Sequence, residues 1–420
     1  MIDRRTTGLA TPWFHGWNIV AVAFLVQVFA VGLSTSVYGV YIDPMGTDLG
    51  ASRFTSTLGF ALLMAGLGVT SPIAGRLIER GSIRNLIVIG FIVLAASLLL
   101  LSLANHIFQV LIIYGVLIAT GATLAGALPA STLVTNWFYS LRGRALGIST
   151  IGASAGGLLL PPVAALLIEN FDWRVSFQVL AVACLIITLP IVWLVVANRP
   201  EDKGLHVDGA AQPVAPTPGD VRVEPALSMM GILRSRAFWG IALCVGLGNS
   251  VTSGVMVNIV PHAADMGHSP VHAAYLISVF TVGLVAGKLL IGAASDRFGL
   301  GMLWQVCLTM TGLGIVFLMY SASLPALIFA CCLAGIGSGG YYPLMGMSIA
   351  SSFPIASFSK VMGLVLPVLY LLAAPAAPLA GLVSDLTGSY SSAMWAALAL
   401  LLIAGFIMRF VGGTRMAAKP

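Results

Sequence analysis

The feature that most constrains this chain is the length of its apolar runs. Broken at charges, prolines and glycine clusters, the sequence gives runs near 17–42, 54–78, 85–104, 107–135, 143–168 and 175–198, then near 237–264, 271–295, 301–321, 324–352, 360–384 and 391–412. A helix needs roughly 20 apolar residues to cross a bilayer, so the pattern predicts two sets of six spanning helices. A β-barrel is disfavoured, because its lipid face is built from short segments of alternating polarity. Charge agrees: Lys+Arg 20 and Asp+Glu 14 make 8% of 420 residues, against about 25% in a soluble domain. So few charges cannot solvate several water-facing domains. The first run follows 16 fairly polar residues, outlasts a signal-peptide core and lacks a convincing small-residue cleavage site, so it reads as a retained span. The expected fold class is an all-α membrane protein of twelve transmembrane helices in two pseudo-symmetric six-helix bundles. Its parts are a cytosolic N-terminal segment 1–16, a bundle 17–198, a linker 199–236, a second bundle 237–412 and a tail 413–420.

The basic residues test that count. With a cytosolic N-terminus, only Arg53 and Arg174 fall outside and Lys288 falls within a span; the other Lys and Arg fall inside. This bias predicts both termini in the cytosol and an even number of spans. It also accounts for the net charge of +6, so nucleic acid is not an expected partner. Trp17, Trp137, Trp173, Trp239 and Trp304 stand at span ends, where an amphipathic ring prefers the membrane interface. The cysteines Cys184, Cys244, Cys307, Cys331 and Cys332 lie inside apolar runs with no ligand spacing, so neither a disulfide frame nor a metal site is expected. The linker, rich in Pro and acidic residues, reads as flexible, with a short amphipathic helix at 229–236.

The halves repeat each other. An offset of 217 carries Pro44, Gly50 and Ser52 onto Pro261, Gly267 and Ser269, and Gly75, Glu79 and Arg80 onto Gly292, Asp296 and Arg297. It also carries Pro161 onto Pro378, and after a small indel an offset of 214 carries Gly121, Gly126 and Pro129 onto Gly335, Gly340 and Pro343. Glycine matches are cheap in a chain with 47 of them; acid and base pairs at the same offset are not. Duplicated six-span units are a transporter architecture, with the site near mid-membrane between them.

The loop after span 2 reads GRLIERGSIR, from Gly75 through Glu79 and Arg80 to Arg84, and the loop after span 8 reads GAASDRFG, from Gly292 through Asp296 and Arg297 to Gly299. An acid at a helix end followed by Arg, with Gly for a tight turn, suits a charge latch between neighbouring helices. The second copy is an unbroken G-x-x-x-D-R-x-G; the first has its Gly one place early. The pair resembles the signature loop of the major facilitator superfamily, and with the duplicated plan the resemblance covers essentially the whole chain.

A narrower resemblance lies at span 5. NWFYSLRGRALGISTIGASAGG, from Asn136 to Gly157, is similar to the segment opening the fifth helix in the monocarboxylate porter family and its bacterial oxalate/formate relatives. WFHGWNIV, from Trp13 to Val20, looks like a reduced form of that family's first-helix motif without its acid, and the linker end MMGILRSRAFW is similar to bacterial members. The resemblance implies residence in a bacterial plasma membrane and counts Arg142 and Arg144 into the latch. Gly147, Gly152 and Gly156 would let span 5 approach a neighbour's backbone, for packing or for movement.

An ionisable group deep in lipid is costly and marks function by default. The spans hold one such cation, Lys288, and no deep carboxylate. It precedes Asp296 by eight residues, which places it roughly 12 Å from the inner boundary of a core about 30 Å thick. In the carrier family a basic residue, usually Arg, stands at this spot and meets the substrate carboxylate; here it is Lys, and the Asp commonly one turn before is Leu284. Lys offers a point charge without the bidentate fork, so a small organic anion is the expected substrate. The bland reading is a lysine snorkelling to the interface. An ammonium is costly to charge in an apolar cavity and a bound carboxylate offsets that cost, so anion and proton would load together at Lys288 as symport. The rival is exchange with Lys288 always charged.

Further candidate contacts are Tyr38, Tyr41, Tyr114, Asn249, Asn258, Tyr341, Tyr342 and Tyr370, each as readily interhelical glue as ligand; Tyr341 with Tyr342 before Pro343 is the favoured second contact. His262, His268 and His272 cluster at the outer end of span 7 and the next loop, as a pH sensor or a solvated loop. GIGSGG, from Gly335 to Gly340, fits G-x-G-x-x-G but lies inside an apolar span with no acid after it, so it predicts close helix packing and no dinucleotide cofactor. The reading is a secondary transporter of a small, monocarboxylate-like anion, with protons and the lipid bilayer as its other partners. A transporter-like membrane sensor would need a sizeable signalling tail, and a membrane enzyme a nucleophile, paired carboxylates or a metal cluster.

Overall fold

The computed structural model describes residues 13–51, 53–210, 226–266, 270–321, 323–376 and 391–412, with Leu379 and Val383. Among them are 12 helices long and apolar enough to cross a membrane. They are α1 (Gly16–Asp48), α2 (Leu58–Arg80), α3 (Ile83–Ser102), α4 (Ile107–Trp137), α5 (Arg142–Asn170), α6 (Trp173–Val195), α7 (Arg236–Met256), α8 (Tyr275–Ala294), α9 (Leu300–Tyr320), α10 (Leu324–Ser352), α11 (Ile355–Ala373) and α12 (Ser391–Arg409). Each falls on one of the twelve apolar runs, and the described residues contain no strand. The chain is an integral multi-pass membrane protein. Large apolar side chains such as Ile186, Leu194, Leu402 and Phe406 stand exposed on the outside. Lipid is the solvent there, so hydrophobicity alone does not tell core from surface.

What organises the interior is small residues. Helices α1–α6 form one bundle and α7–α12 the other; the two meet chiefly along α2 with α11 and α5 with α8, with lesser contacts of α10 on α5 and α4 on α11. Two helices are broken at equivalent points of the repeat. Gly126 divides α4, its φ −90 and ψ −139 outside helical values, and Gly340 divides α10 between Leu324–Gly339 and Tyr341–Ser352. These are the two glycines that the 214-residue offset superposes. Helix α1 carries a wide π-type turn over Gly32–Ser36, closed by Val37 N–H on the Gly32 carbonyl at 3.1 Å. The GIGSGG run packs as expected: a Cβ on Gly335 would meet the Phe280 carbonyl oxygen at 2.4 Å and one on Gly339 the Leu284 carbonyl oxygen at 2.2 Å.

Two expectations are corrected. Trp137, Trp173 and Trp304 are not interface anchors but are buried. The indole of Trp137 donates to the Ala197 carbonyl at 2.9 Å and that of Trp304 to Ser348 Oγ at 2.9 Å, which lets the polar edge go inside. The linker is not loose at its ends. Its first part folds into short 3₁₀ turns at Pro200–Lys203 and Val207–Gly209; the expected short helix ahead of α7 is present at Met229–Leu233. Asp208 takes the left-handed conformation, φ 59, and its carboxylate accepts from the N–H groups of Tyr139 (3.0 Å) and Ser140 (2.7 Å) and from Ser140 Oγ (2.6 Å). Those bonds offset a backbone strain that a non-glycine residue rarely accepts. Residues 211–225 and the tail 413–420 lie outside the described residues.

Candidate functional site

Between the two bundles lies a cavity of about 270 Å³, near the low end for a small-molecule site. Among the described residues that line it, Lys288 is the one charged side chain. It comes from α8 and is 7% exposed. Its Nζ donates to the Thr150 carbonyl at 2.9 Å and to Ser154 Oγ at 2.7 Å, both on α5 of the other bundle. The side chain does not snorkel to the interface; it reaches across the bundle boundary.

Glycines make this reach possible. A Cβ on Gly147 would meet the Lys288 carbonyl oxygen at 2.4 Å, and one on Gly143 the Gly292 carbonyl oxygen at 2.3 Å, so α5 and α8 touch backbone to backbone. Gly152 and Gly156 serve the other face of α5, where a Cβ would meet the carbonyl oxygens of Phe24 at 2.1 Å and Val28 at 2.3 Å on α1. Gln27 ties the same pair of helices, its Nε2 donating at 2.8 Å to both the carbonyl and the hydroxyl of Ser149.

The structure divides the candidate contacts. Asn249, Tyr342 and Tyr370 line the cavity with Lys288. Tyr341, expected beside Tyr342, points away: it is fully buried in the second bundle, donates to Thr311 Oγ1 at 2.9 Å and stacks on Trp304. Consecutive helical residues diverge by about 100°, so only one of the pair can face the cavity. Tyr38, Tyr41 and Tyr114 are buried inside the first bundle and are not among the lining residues. Tyr38 donates to the Ser56 carbonyl, Tyr41 shares a 2.6 Å bond with Ser176 Oγ, and the Tyr114 ring packs edge-on against Tyr38. The side chain of Asn258, like His262 and His268, lies outside the described residues; His272 is exposed. Sequence reasoning passed over Thr150, Ser154 and Gln27, because single hydroxyl and amide residues in an apolar run carry no spacing signal.

The latch acids are close to the bundle boundary, with partners other than the arginines beside them. Asp296 Oδ1 accepts from Gly143 N–H at 2.6 Å and Oδ2 from Arg144 N–H at 3.0 Å, capping the N-terminus of α5. The Arg144 guanidinium stands 4.0 Å from Oδ2. Glu79 Oε2 pairs instead with Lys360 Nζ at 3.0 Å, at the start of α11, where a Cβ on Gly75 would meet the Ser359 carbonyl oxygen at 2.7 Å. Lys360 was not among the expected latch residues. Arg80 and Arg297 are exposed at the helix ends. Arg142 is buried and caps the end of α4, donating to the carbonyls of Phe138 (2.9 Å) and Thr135 (3.1 Å). Arg84 belongs to the first bundle, its guanidinium 4.7 Å over the Trp193 ring, and Gly299 has open space around its α-carbon.

The motifs at the starts of α1 and α5 meet in space. Phe14 packs on Trp137 and Phe138, His15 on Trp137 and Trp17 on Phe138. His15 Nε2 lies 3.0 Å from the Val195 carbonyl and Nδ1 3.3 Å from Asn18 Nδ2, an arrangement that suits a neutral ring with its proton on Nε2. Burial pushes the His15 pKa below its usual 6.5, against the raising effect of that carbonyl.

Comparison with known proteins places this geometry. The family model for the Major Facilitator Superfamily matches residues 24–269 and 238–419. The chain is 27% identical over 401 residues to monocarboxylate transporter 11 of Mus musculus, covering 93% of this chain and 86% of that protein. It is 24% identical over 410 residues to the uncharacterized MFS-type transporter YcxA of Bacillus subtilis, covering 94% and 92%. Among solved structures, the crystal structure of the Major Facilitator Superfamily transporter FucP in the outward conformation matches with a TM-score of 0.70 at 15% identity, covering 94% of this chain and 99% of that one.

Proposed function

This chain belongs to the Major Facilitator Superfamily, a transporter of a small molecule and not an enzyme, and from that premise we propose that it carries a small, monocarboxylate-like organic anion by alternating access, with proton symport. One observation carries the reading: the interbundle cavity has Lys288 as its one charged lining residue among those described. A buried cation with no carboxylate facing it is costly, and an anionic substrate offsets that cost. Tyr342 and Tyr370 supply hydroxyls and ring faces beside it. The name of the relatives, monocarboxylate transporter, points the same way.

Symport needs a proton-carrying group at the site, and Lys288 is the cationic candidate there. A second reading, exchange with Lys288 always charged, is favoured by the carbonyl and hydroxyl that already accept from Nζ. The Lys and Arg bias supports an orientation with the Glu79 and Asp296 end and both termini in the cytosol, and the resemblance to bacterial carriers supports a bacterial plasma membrane. Uptake of labelled pyruvate into proteoliposomes under an imposed pH gradient, with no internal anion, separates symport from exchange. Lys288→Arg should retain binding and Lys288→Gln should lose proton-dependent uptake; unaltered uptake in the Gln variant sinks the reading.

A further inference from the structure

Lys288, Gly292 and Asp296 recur every four residues, so they follow one stripe from α8 into the turn after it. Opposite each is a partner on α5. Lys288 Nζ meets the Thr150 carbonyl and Ser154 Oγ. The backbone around Lys288 and Gly292 meets Gly147, and Asp296 takes the N–H groups of Gly143 and Arg144. The three contacts form one continuous seam whose first rung lies at the cavity and whose last seals the latch end.

We propose that the Thr150 carbonyl and the Ser154 hydroxyl are the resting dock of the Lys288 ammonium, and that a substrate carboxylate opens the seam by taking Nζ away from them. The inference rests on the anion reading above. An ammonium has three donors and no acceptor, and α5 fills two of them with neutral oxygens. A carboxylate adds the attraction of opposite charges, strong where water is excluded, to a bond that a neutral oxygen offers without it, so it wins Nζ and leaves α5 held to α8 only by the glycine contacts and the Asp296 cap. Substrate capture thereby weakens the interface that must part for release at that end, which is the differential interaction a ligand-driven change of state requires. Ser154 is a positioning residue: it acts through Lys288 and competes with the substrate for it.

The competition gives an unusual sign. Removing the Ser154 hydroxyl should tighten equilibrium binding of pyruvate or benzoate, by about tenfold or more for the loss of one bond to a charged group. Ser154→Ala and Ser154→Val should both show the gain, and Ser154→Thr, which keeps a hydroxyl, should bind like the parent. Binding is measured by isothermal titration on the purified full chain, with Lys288→Gln alongside. Unchanged or weaker binding in both Ser154→Ala and Ser154→Val, while Lys288→Gln abolishes binding, overturns the dock and leaves the anion reading standing. Binding that survives intact in Lys288→Gln, or no binding of either anion by the parent, overturns the anion reading and the dock with it.

Discussion

Replacing Asp296 by Asn should open the latch end without unfolding either bundle. The Asp296 carboxylate is 4% exposed and takes two backbone N–H groups at the first turn of α5. An amide of the same shape keeps one acceptor and turns a donor toward the other N–H. The loss is one hydrogen bond to a charged group, about 1.5–3 kcal/mol, and the charge–dipole attraction at a helix start, about 0.3–2 kcal/mol. Together these give about 2–5 kcal/mol, or roughly a 30-fold or greater fall in the ratio of closed to open latch, at 1.4 kcal/mol per tenfold. Asp296 and α5 belong to different bundles, so the whole cost falls on the state in which they touch. Asp208 is the control: it caps neighbouring N–H groups, of Tyr139 and Ser140, from within the first half of the chain. Asp208→Asn should lower thermal stability and leave the ratio alone. Double electron–electron resonance between labels at Glu201→Cys and Gly299→Cys reads the distance across the latch, with the half-buried Cys332 replaced. An unchanged distance distribution in Asp296→Asn, or an equal shift in Asp208→Asn, refutes the reasoning.

Gly147→Ala should strain the same interface by sterics, since a Cβ would stand 2.4 Å from the Lys288 carbonyl oxygen, a backbone atom that cannot step aside. The same distance measurement should shift toward the open latch, whereas Gly301→Ala, with open space around it, should match the parent. The His15 anchor should make stability depend on pH: a folded pKa below 6.5 gives a contribution that is full above pH 6.5 and is lost as pH falls below it. Melting temperatures in detergent should therefore drop more between pH 7.5 and pH 5.5 for the parent than for His15→Gln, and an equal drop in both counts against a neutral buried ring.

What the sequence disclosed follows from what lipid enforces. Every backbone group in the hydrocarbon must bond within its own helix, so apolar runs reveal helices with little interference from tertiary context, and all twelve fall where the runs predict. Lys288 was legible for the same reason, since a lone cation in such a run stands out. Its partners were not, because a serine or a backbone carbonyl every few residues is common in any membrane helix. Facing was lost too: Tyr341 and Tyr342 are adjacent in sequence and diverge in space, and a bundle with lipid on one side and protein on the other gives helices no polar face to read. Trp137 misled because a tryptophan at a helix end reads as an interface anchor unless its N–H has a carbonyl to take, and the Ala197 carbonyl comes from the end of a different helix.

The repeat also shows why Lys360 was missed and what it changes. Under the 217-residue offset Lys360 falls on Gly143, the residue whose N–H binds Asp296. The two closures are thus built at the same place from different chemistry. At α5 and α8 a carboxylate is held by backbone N–H groups that need no rotamer to be fixed, on the stripe that carries Lys288. At α2 and α11 two long side chains, Glu79 and Lys360, form a partly buried pair, and ordering them costs conformational entropy. Lys360 also donates to the Leu227 carbonyl at 3.0 Å, while Leu227 N–H donates to Ser357 Oγ at 2.7 Å. That contact is therefore tied to the end of the linker, whereas the Asp296 contact lies on the stripe that carries Lys288 at the cavity.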